Sequence, residues 1–275
     1  MRFVEYRIGD TRILRLIRKW LKAGVMEDGV LKVTEIGSPQ GSVISPLLAN
    51  VYLHYVFDLW AQQWRKRHAR GHVIIVRYAD DIVGGFEHEE EARAFLAELE
   101  TRMGAFALSL HPEKTRLIEF GRFAAQDREH RGLGRPETFT FLGFTHVCGK
   151  DRRGKFSLER RTRRDRMRLK IKAIKEKLRR KMHASIPEQG RWLGHIVRGY
   201  FAYHAIPKNL RALLAFRRHV TDAWRRVLRR RSQRAKVTWE TMTRLAEQWL
   251  PMPRITHPWP EARFAVKHPR WEPSA

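Results

Sequence analysis

Two β-branched runs flank Ala79-Asp80-Asp81 in the stretch HVIIVRYADDIVGGFE, residues 72–87. So short a gap between two strand-like runs predicts a β-hairpin, with the acidic pair at or beside its tip. An antiparallel pair in the middle of the chain must then be backed by what lies around it. Upstream, Arg2–Lys22 reads as an amphipathic helix with Ile13, Leu16, Ile17 and Trp20 on one stripe and Gly24 as its stop signal. Val30–Ile36 has strand composition, and Gly37-Ser38-Pro39-Gln40-Gly41 forces a turn. Ser45 and Pro46 then mark a helix start, followed by an apolar face of Leu47, Leu48, Val51, Tyr52, Tyr55 and Leu59. Downstream, His88–Met103 spaces Ala92, Phe95, Leu96 and Leu99 for one buried helix face. LSLHPEKTRLIEF (108–120) and TFTFLGFTHV (138–147) supply further strands. The order of helix, strand and hairpin indicates an α+β fold, an antiparallel sheet backed by helices on one side.

Composition shifts after Gly149. Lys and Arg make up more than half of the stretch 160–182, yet Met167, Ile171, Ile174, Leu178 and Met182 keep a continuous apolar stripe, so this is a folded basic helix. Two more helical patterns follow, one through Trp192, Ile196, Tyr200 and Tyr203, the other through Leu213, Phe216, Val220, Trp224 and Val227. The expected organisation is therefore three parts: 1–149, 150–238 as an all-helical basic domain, and from Trp239 an extended proline-rich tail to residue 275.

The whole chain carries 56 Lys and Arg against 29 Asp and Glu, a formal net charge of +27, which calls for a polyanionic partner. No apolar run reaches the roughly 18 residues of a membrane helix, so nucleic acid fits better than a membrane. A soluble, intracellular protein is expected. One cysteine, Cys148, excludes a disulfide framework and zinc sites built on paired thiolates.

Two adjacent carboxylates repel each other, and a cation between or beside them relieves that cost, which makes Asp80 and Asp81 candidate ligands for a hard divalent ion. Read alone, the pair is equally a solvated Asp-Asp turn.

Four blocks together resemble the reverse transcriptases of group II introns: SPQG (38–41) with SPLLANVYL behind it, RYADD (77–81), LHPEKT (110–115) and TFLGF (140–144). The likeness continues through GYFAYHAIPKN (199–209) and the HPWPEARFAVKHPR tail. It implies a polymerase palm followed by a helical thumb, also called the maturase domain. It also implies Mg2+ held by Asp80 and Asp81, with Tyr78 beside the primer end or in the core. Pro39, Gln40 and Gly41 would line the nucleotide and template side, and Lys114 would be a general acid near the pyrophosphate or a surface lysine. Leu142 and Gly143 match the primer-grip turn. Arg163, Arg164, Arg168, Lys172, Lys175 and Arg179 of the basic helix would bind RNA. Tyr200, Tyr203 and Trp192 are either base-stacking residues or, as their helical spacing favours, core. The implied partners are intron RNA, an RNA template and a DNA primer.

The family pattern also has a strand of the form DIKGFFD, whose leading aspartate is a third metal ligand, and nothing between Met1 and Pro39 resembles it. A separate N-terminal polypeptide bearing that strand is thus an expected partner. A non-catalytic RNA-binding splicing factor is the alternative function.

Overall fold

The computed structural model describes residues 1–22, 25–27, 30–32, 44–151, 153–231 and 236–259. The chain forms two compact units, Met1–Leu117 and Ile118–Ala275.

The first unit opens with two helices, α1 (Arg2–Glu5) and α2 (Thr11–Lys22), where one was expected over Arg2–Lys22. Asp10 explains the break. Its carboxylate accepts from the amides of Arg12 and Ile13, at 2.8 and 3.4 Å, capping the free donors of a new helix. The restart changes which residues face inward: Leu14 and Ile17 are buried, whereas Ile13, Leu16 and Trp20 of the expected stripe are exposed. Strands β1 (Val25–Glu27) and β2 (Val30–Lys32) pair antiparallel. Of the strand expected at Val30–Ile36, residues beyond Lys32 lie outside the described residues.

Helix α3 (Ser45–Leu53) runs into a π-helical turn, His54–Asp58, and on into α4 (Leu59–His68). The wider turn shifts the buried face, so Val56, Phe57, Ala61 and Trp64 point inward and Leu59, expected on the apolar face, is exposed. Strands β3 (Val73–Tyr78) and β4 (Asp81–Phe86) form the expected hairpin, in a register that pairs Val73 with Phe86 and Tyr78 with Asp81. Ile75, Ile82 and Phe86 of its inner face pack on a core of Val56, Phe57, Ala61, Trp64, Phe95, Leu99 and Met103. The last three come from α5 (Glu89–Gly104). LSLHPEKTRLIEF forms no strand. Pro112 removes a ladder donor in its middle, and the amides of Lys114 and Thr115 turn back onto the carbonyl of His111.

In the second unit, α6 (Ala124–His130) precedes an antiparallel sheet of β5 (Phe139–Phe141), β6 (Phe144–Lys150) and β7 (Phe156–Thr162). Arg160–Thr162, assigned from composition to the basic helix, closes this sheet instead, and α7 spans Arg164–Arg180. The compositional boundary at 149/150 falls within β6. Helices α8 (Ile186–His204), α9 (Leu210–Arg229) and α10 (Trp239–Trp249) complete the unit. The stripe Ile171, Ile174 and Leu178 lies in one core with Leu213, Phe216, Val220, Trp224 and Val227, and Met167 and Met182 pack against it. Helix α10 corrects the expectation of an extended tail from Trp239. Thr238 caps it by accepting from the Thr241 amide, Met242 and Ala246 are buried, and the prolines begin only at Pro251. Among the described residues no helix is long and apolar enough to cross a membrane.

Candidate active site and nucleic-acid interface

Strand alternation decides what the hairpin presents. Val73, Ile75 and Arg77 face the helices, while Ile74, Val76 and Tyr78 face outward and are exposed. Asp81, opposite Tyr78, shares that outer face, and Ala79-Asp80 form the two-residue turn. Tyr78 is 63% exposed, which excludes it from the core of its unit. Asp80 and Asp81 are both exposed, and no ion pair reaches either among the described residues.

Beneath the turn lies a network that sequence reasoning missed. The Arg77 guanidinium forks onto Asp58, Nε to Oδ1 and Nη2 to Oδ2, both at 2.7 Å. Its Nη1 donates to Asn50 Oδ1 at 2.8 Å and to the carbonyl of Ala79 at 2.9 Å. The Arg77 hydrogen bonds hold the Asp58 carboxyl below the usual aspartate range, with a smaller contribution from His54, while Asp58 holds the guanidinium up. Ala79 sits at φ +54°, a conformation that costs an L-residue energy and persists only when its surroundings enforce it. The signal that could have exposed this network is the row of polar residues Asn50, His54 and Asp58, four apart in an otherwise apolar stretch.

Lys114 is exposed in the His111–Thr115 turn, and among the described residues no hydrogen bond or ion pair joins it to either carboxylate. Pro39, Gln40 and Gly41 lie outside the described residues.

In the second unit, Leu142 and Gly143 form the two-residue turn between β5 and β6, with φ of +48° and +77°. Positive φ at both positions suits the right-handed twist of the flanking strands, and glycine adopts it without steric cost. The turn is tethered twice, by the Tyr203 hydroxyl donating to the Leu142 carbonyl at 2.8 Å and by the Arg163 amide donating to that of Gly143 at 3.2 Å. The Tyr203 ring stacks on Phe144, so it neither joins the core nor stands free. Tyr200 is buried, its ring stacked on Phe216, and Trp192 packs against the core. Behind the turn, Asn209 is buried, accepts from the Thr162 amide and donates to Thr162 Oγ1 and the His204 carbonyl. Burial pushes the His204 imidazole down to about 4.

On α7, Arg164, Arg168, Lys172, Lys175 and Arg179 are exposed, and none has an ion pair among the described residues. Their i, i+3 and i, i+4 spacing sets them on one stripe, about a quarter-turn round the helix from the buried one. Arg163 differs, being half-buried and paired with Asp165.

Chemically, the hairpin end offers hard carboxylate oxygens unclaimed by cations among the described residues, a donor set that suits Mg2+. No third His, Cys, Asp or Glu joins them among the described residues.

Comparison with known proteins agrees with this chemistry. Residues 5–146, just over half the chain, match the model of the reverse transcriptase (RNA-dependent DNA polymerase) family. The chain is 30% identical over 133 residues to the group II intron-encoded protein LtrA of Lactococcus lactis subsp. cremoris, covering 44% of this chain and 22% of that protein. It is 32% identical over 152 residues to protein YkfC of Escherichia coli K12, covering 42% of this chain and 38% of that one. A 48-residue stretch, 18% of this chain, is 50% identical to an uncharacterized 91 kDa protein in a cob intron of Schizosaccharomyces pombe, of which it covers 6%. The aligned parts thus cover well under half the length of each of these relatives.

Proposed function

We propose, from the premise that the chain belongs to the reverse transcriptase (RNA-dependent DNA polymerase) family, that it contributes the metal-holding hairpin and the duplex-gripping helices of an RNA-directed DNA polymerase of the group II intron kind. The observation that carries this reading is the pair of exposed carboxylates, Asp80 and Asp81, free of protein cations at the end of a braced hairpin. These two would hold Mg2+. Bound there, the metal supplies activation of a primer 3′ hydroxyl and neutralisation of the leaving pyrophosphate.

The remaining roles follow the family pattern. The first unit acts as palm and the second, α10 included, carries the thumb. Tyr78, exposed on the carboxylates' face, lies against the primer end, and Pro39, Gln40 and Gly41 line the nucleotide and template side. Lys114 protonates the leaving group. The backbone of Leu142 and Gly143 approaches the primer, where the absence of a glycine side chain permits close contact. The α7 stripe, together with Arg163, binds the phosphates of a template–primer duplex and of intron RNA, in the manner of a maturase. A third carboxylate completes the metal site, because two carboxylates from one hairpin leave a two-metal site short of protein oxygens.

Primer extension on an RNA template with Mg2+ tests the proposal, with the chain supplemented by a polypeptide bearing the third-carboxylate strand. Synthesis is expected, and Asp80→Ala should abolish it, since losing one ligand of such a site commonly removes the activity outright. Equal synthesis with Asp80→Ala would remove the hairpin from the chemistry. The second reading, an RNA-binding splicing factor without polymerisation, is favoured by the basic stripe alone. It would be left standing if no combination extends a primer while intron RNA still binds.

A further inference from the structure

The geometry points to Arg77 as a positioning residue that sets the aim of the Asp80 and Asp81 carboxylates through the carbonyl of Ala79, with Asp58 and Asn50 locking the guanidinium in place. This rests on the metal-holding role proposed for the hairpin.

A guanidinium beside two carboxylates could instead be their counter-ion, or a cation waiting for phosphate. Neither fits. Arginine has five N–H donors. Nε and one Nη2 hydrogen go to Asp58, and the two Nη1 hydrogens go to Asn50 and Ala79. The side chain is only 12% exposed, and its charge is matched by Asp58 rather than by the turn carboxylates. What it offers the turn is one directed hydrogen bond, made by a rigid plane whose other hydrogen bonds fix its orientation.

The helix beneath is built for that lock. The π-helical turn His54–Asp58 brings Asp58 to Arg77, and two of the carbonyls in that turn accept from Arg102 of α5, Val56 to Nε at 3.0 Å and Tyr55 to Nη2 at 3.4 Å. The local cost of widening the helix is thus offset by a second arginine, and Asp58 is held where the fork needs it. Above, Ala79 at φ +54° would relax to negative φ if its carbonyl were released, and the two residues that follow it would turn with it. A lysine at 77 keeps the charge but not the fork.

The test uses the full chain with Mn2+ as the probe, free Mn2+ being read by electron paramagnetic resonance, and alanine-labelled NMR to report the backbone dihedral of Ala79. Arg77→Lys is expected to lower Mn2+ affinity about tenfold, the scale seen when a group supporting a metal ligand is removed. It should also move Ala79 out of positive φ. Adding Ala79→Gly should restore most of the affinity, because glycine holds positive φ unaided, and a residue needed merely for folding would show no such rescue. Unchanged affinity with an unchanged dihedral overturns the proposal, and a loss that Ala79→Gly leaves unrepaired overturns the route through the turn. If Arg77→Lys does not fold, Asn50→Ala, which removes a single acceptor, is read by the same dihedral. The D80N/D81N double variant separates the two levels. If it binds Mn2+ like the wild type, the metal-holding role fails, while the Ala79 dihedral still decides the clamp.

Discussion

At Ala79-Asp80 the chain reverses beneath a guanidinium that forks onto Asp58, whereas at Leu142-Gly143 it reverses under a neutral phenol and one backbone amide. Both turns place a non-glycine residue at positive φ, Ala79 at +54° and Leu142 at +48°, and only the second follows it with a glycine, at +77°. The turn that carries the two carboxylates is thus held by a charge-assisted bond, roughly twice as strong as a neutral one. The turn of Leu142 and Gly143 is held by two neutral tethers.

The largest effect that would sharpen this contrast is expected from Asp58→Ala. It leaves the largely buried Arg77 guanidinium without its partner and should destabilise the first unit by about 1.5–3 kcal/mol, toward the lower end because a third of Asp58 still meets solvent. Denaturant unfolding measures it. A change within error would mean that the clamp carries no stability and the contrast between the turns is only geometric.

Acid should loosen the second unit before the first. The half-buried His204 stays neutral down to about 4, whereas an unfolded histidine takes up its proton near 6.5. The unfolded chain therefore binds more protons in that window, and the second unit loses stability as pH falls from about 6.5 toward 4. Asp58 is depressed below an ordinary aspartate, so its contribution is fully present above about 3.9 and is lost only as pH falls further, through its lower folded value. Amide exchange, corrected for intrinsic rates and read separately on β3–β4 and β5–β7, should show the β5–β7 sheet loosening first. Burial lowers the imidazole of His146 in β6 as well, so simultaneous loosening would contradict the role given to this pair of histidines.

The smallest of these effects is expected from Tyr203→Phe. It removes one hydroxyl at an exposed tether, keeps the stack on Phe144, and should cost about 0.5 kcal/mol, or a roughly twofold weaker grip on a primer–template duplex. Melting and duplex titration check it, and a tenfold loss would show that the second turn depends on its tether as much as the first.

Local patterns made much of this legible in the sequence. The β3–β4 reversal, the buried faces of α5 and α9 and the apolar stripe of α7 all follow from periods of 2 and 3.6 residues, which tertiary context did not override. Three features escaped because they depend on a single capping side chain, on one inserted residue, or on side chains meeting across a long separation. Asp10 restarts α2 and changes its inner face, the π-helical turn at His54–Asp58 rotates everything after it, and Arg77 meets Asp58 nineteen positions away. Composition misled where it was strongest. The arginines of β7 read as helix because a charge run has no period, and the tail prolines drew attention past Thr238, which caps α10.

If chemistry resides at Asp80-Asp81 and grip on α7, duplex affinity should separate them. The most direct measurement is the salt dependence of binding to an RNA–DNA duplex for the wild type, for Asp80→Asn and for the K172E/K175E/R179E variant. Each phosphate left without its cation should flatten the log–log slope by roughly 0.9, so the triple variant should bind more weakly with a slope shallower by about 2–3. Asp80→Asn should keep the wild-type slope. An unchanged slope in the triple variant, or one altered as much by Asp80→Asn, would contradict the division of labour between the hairpin and the basic helix.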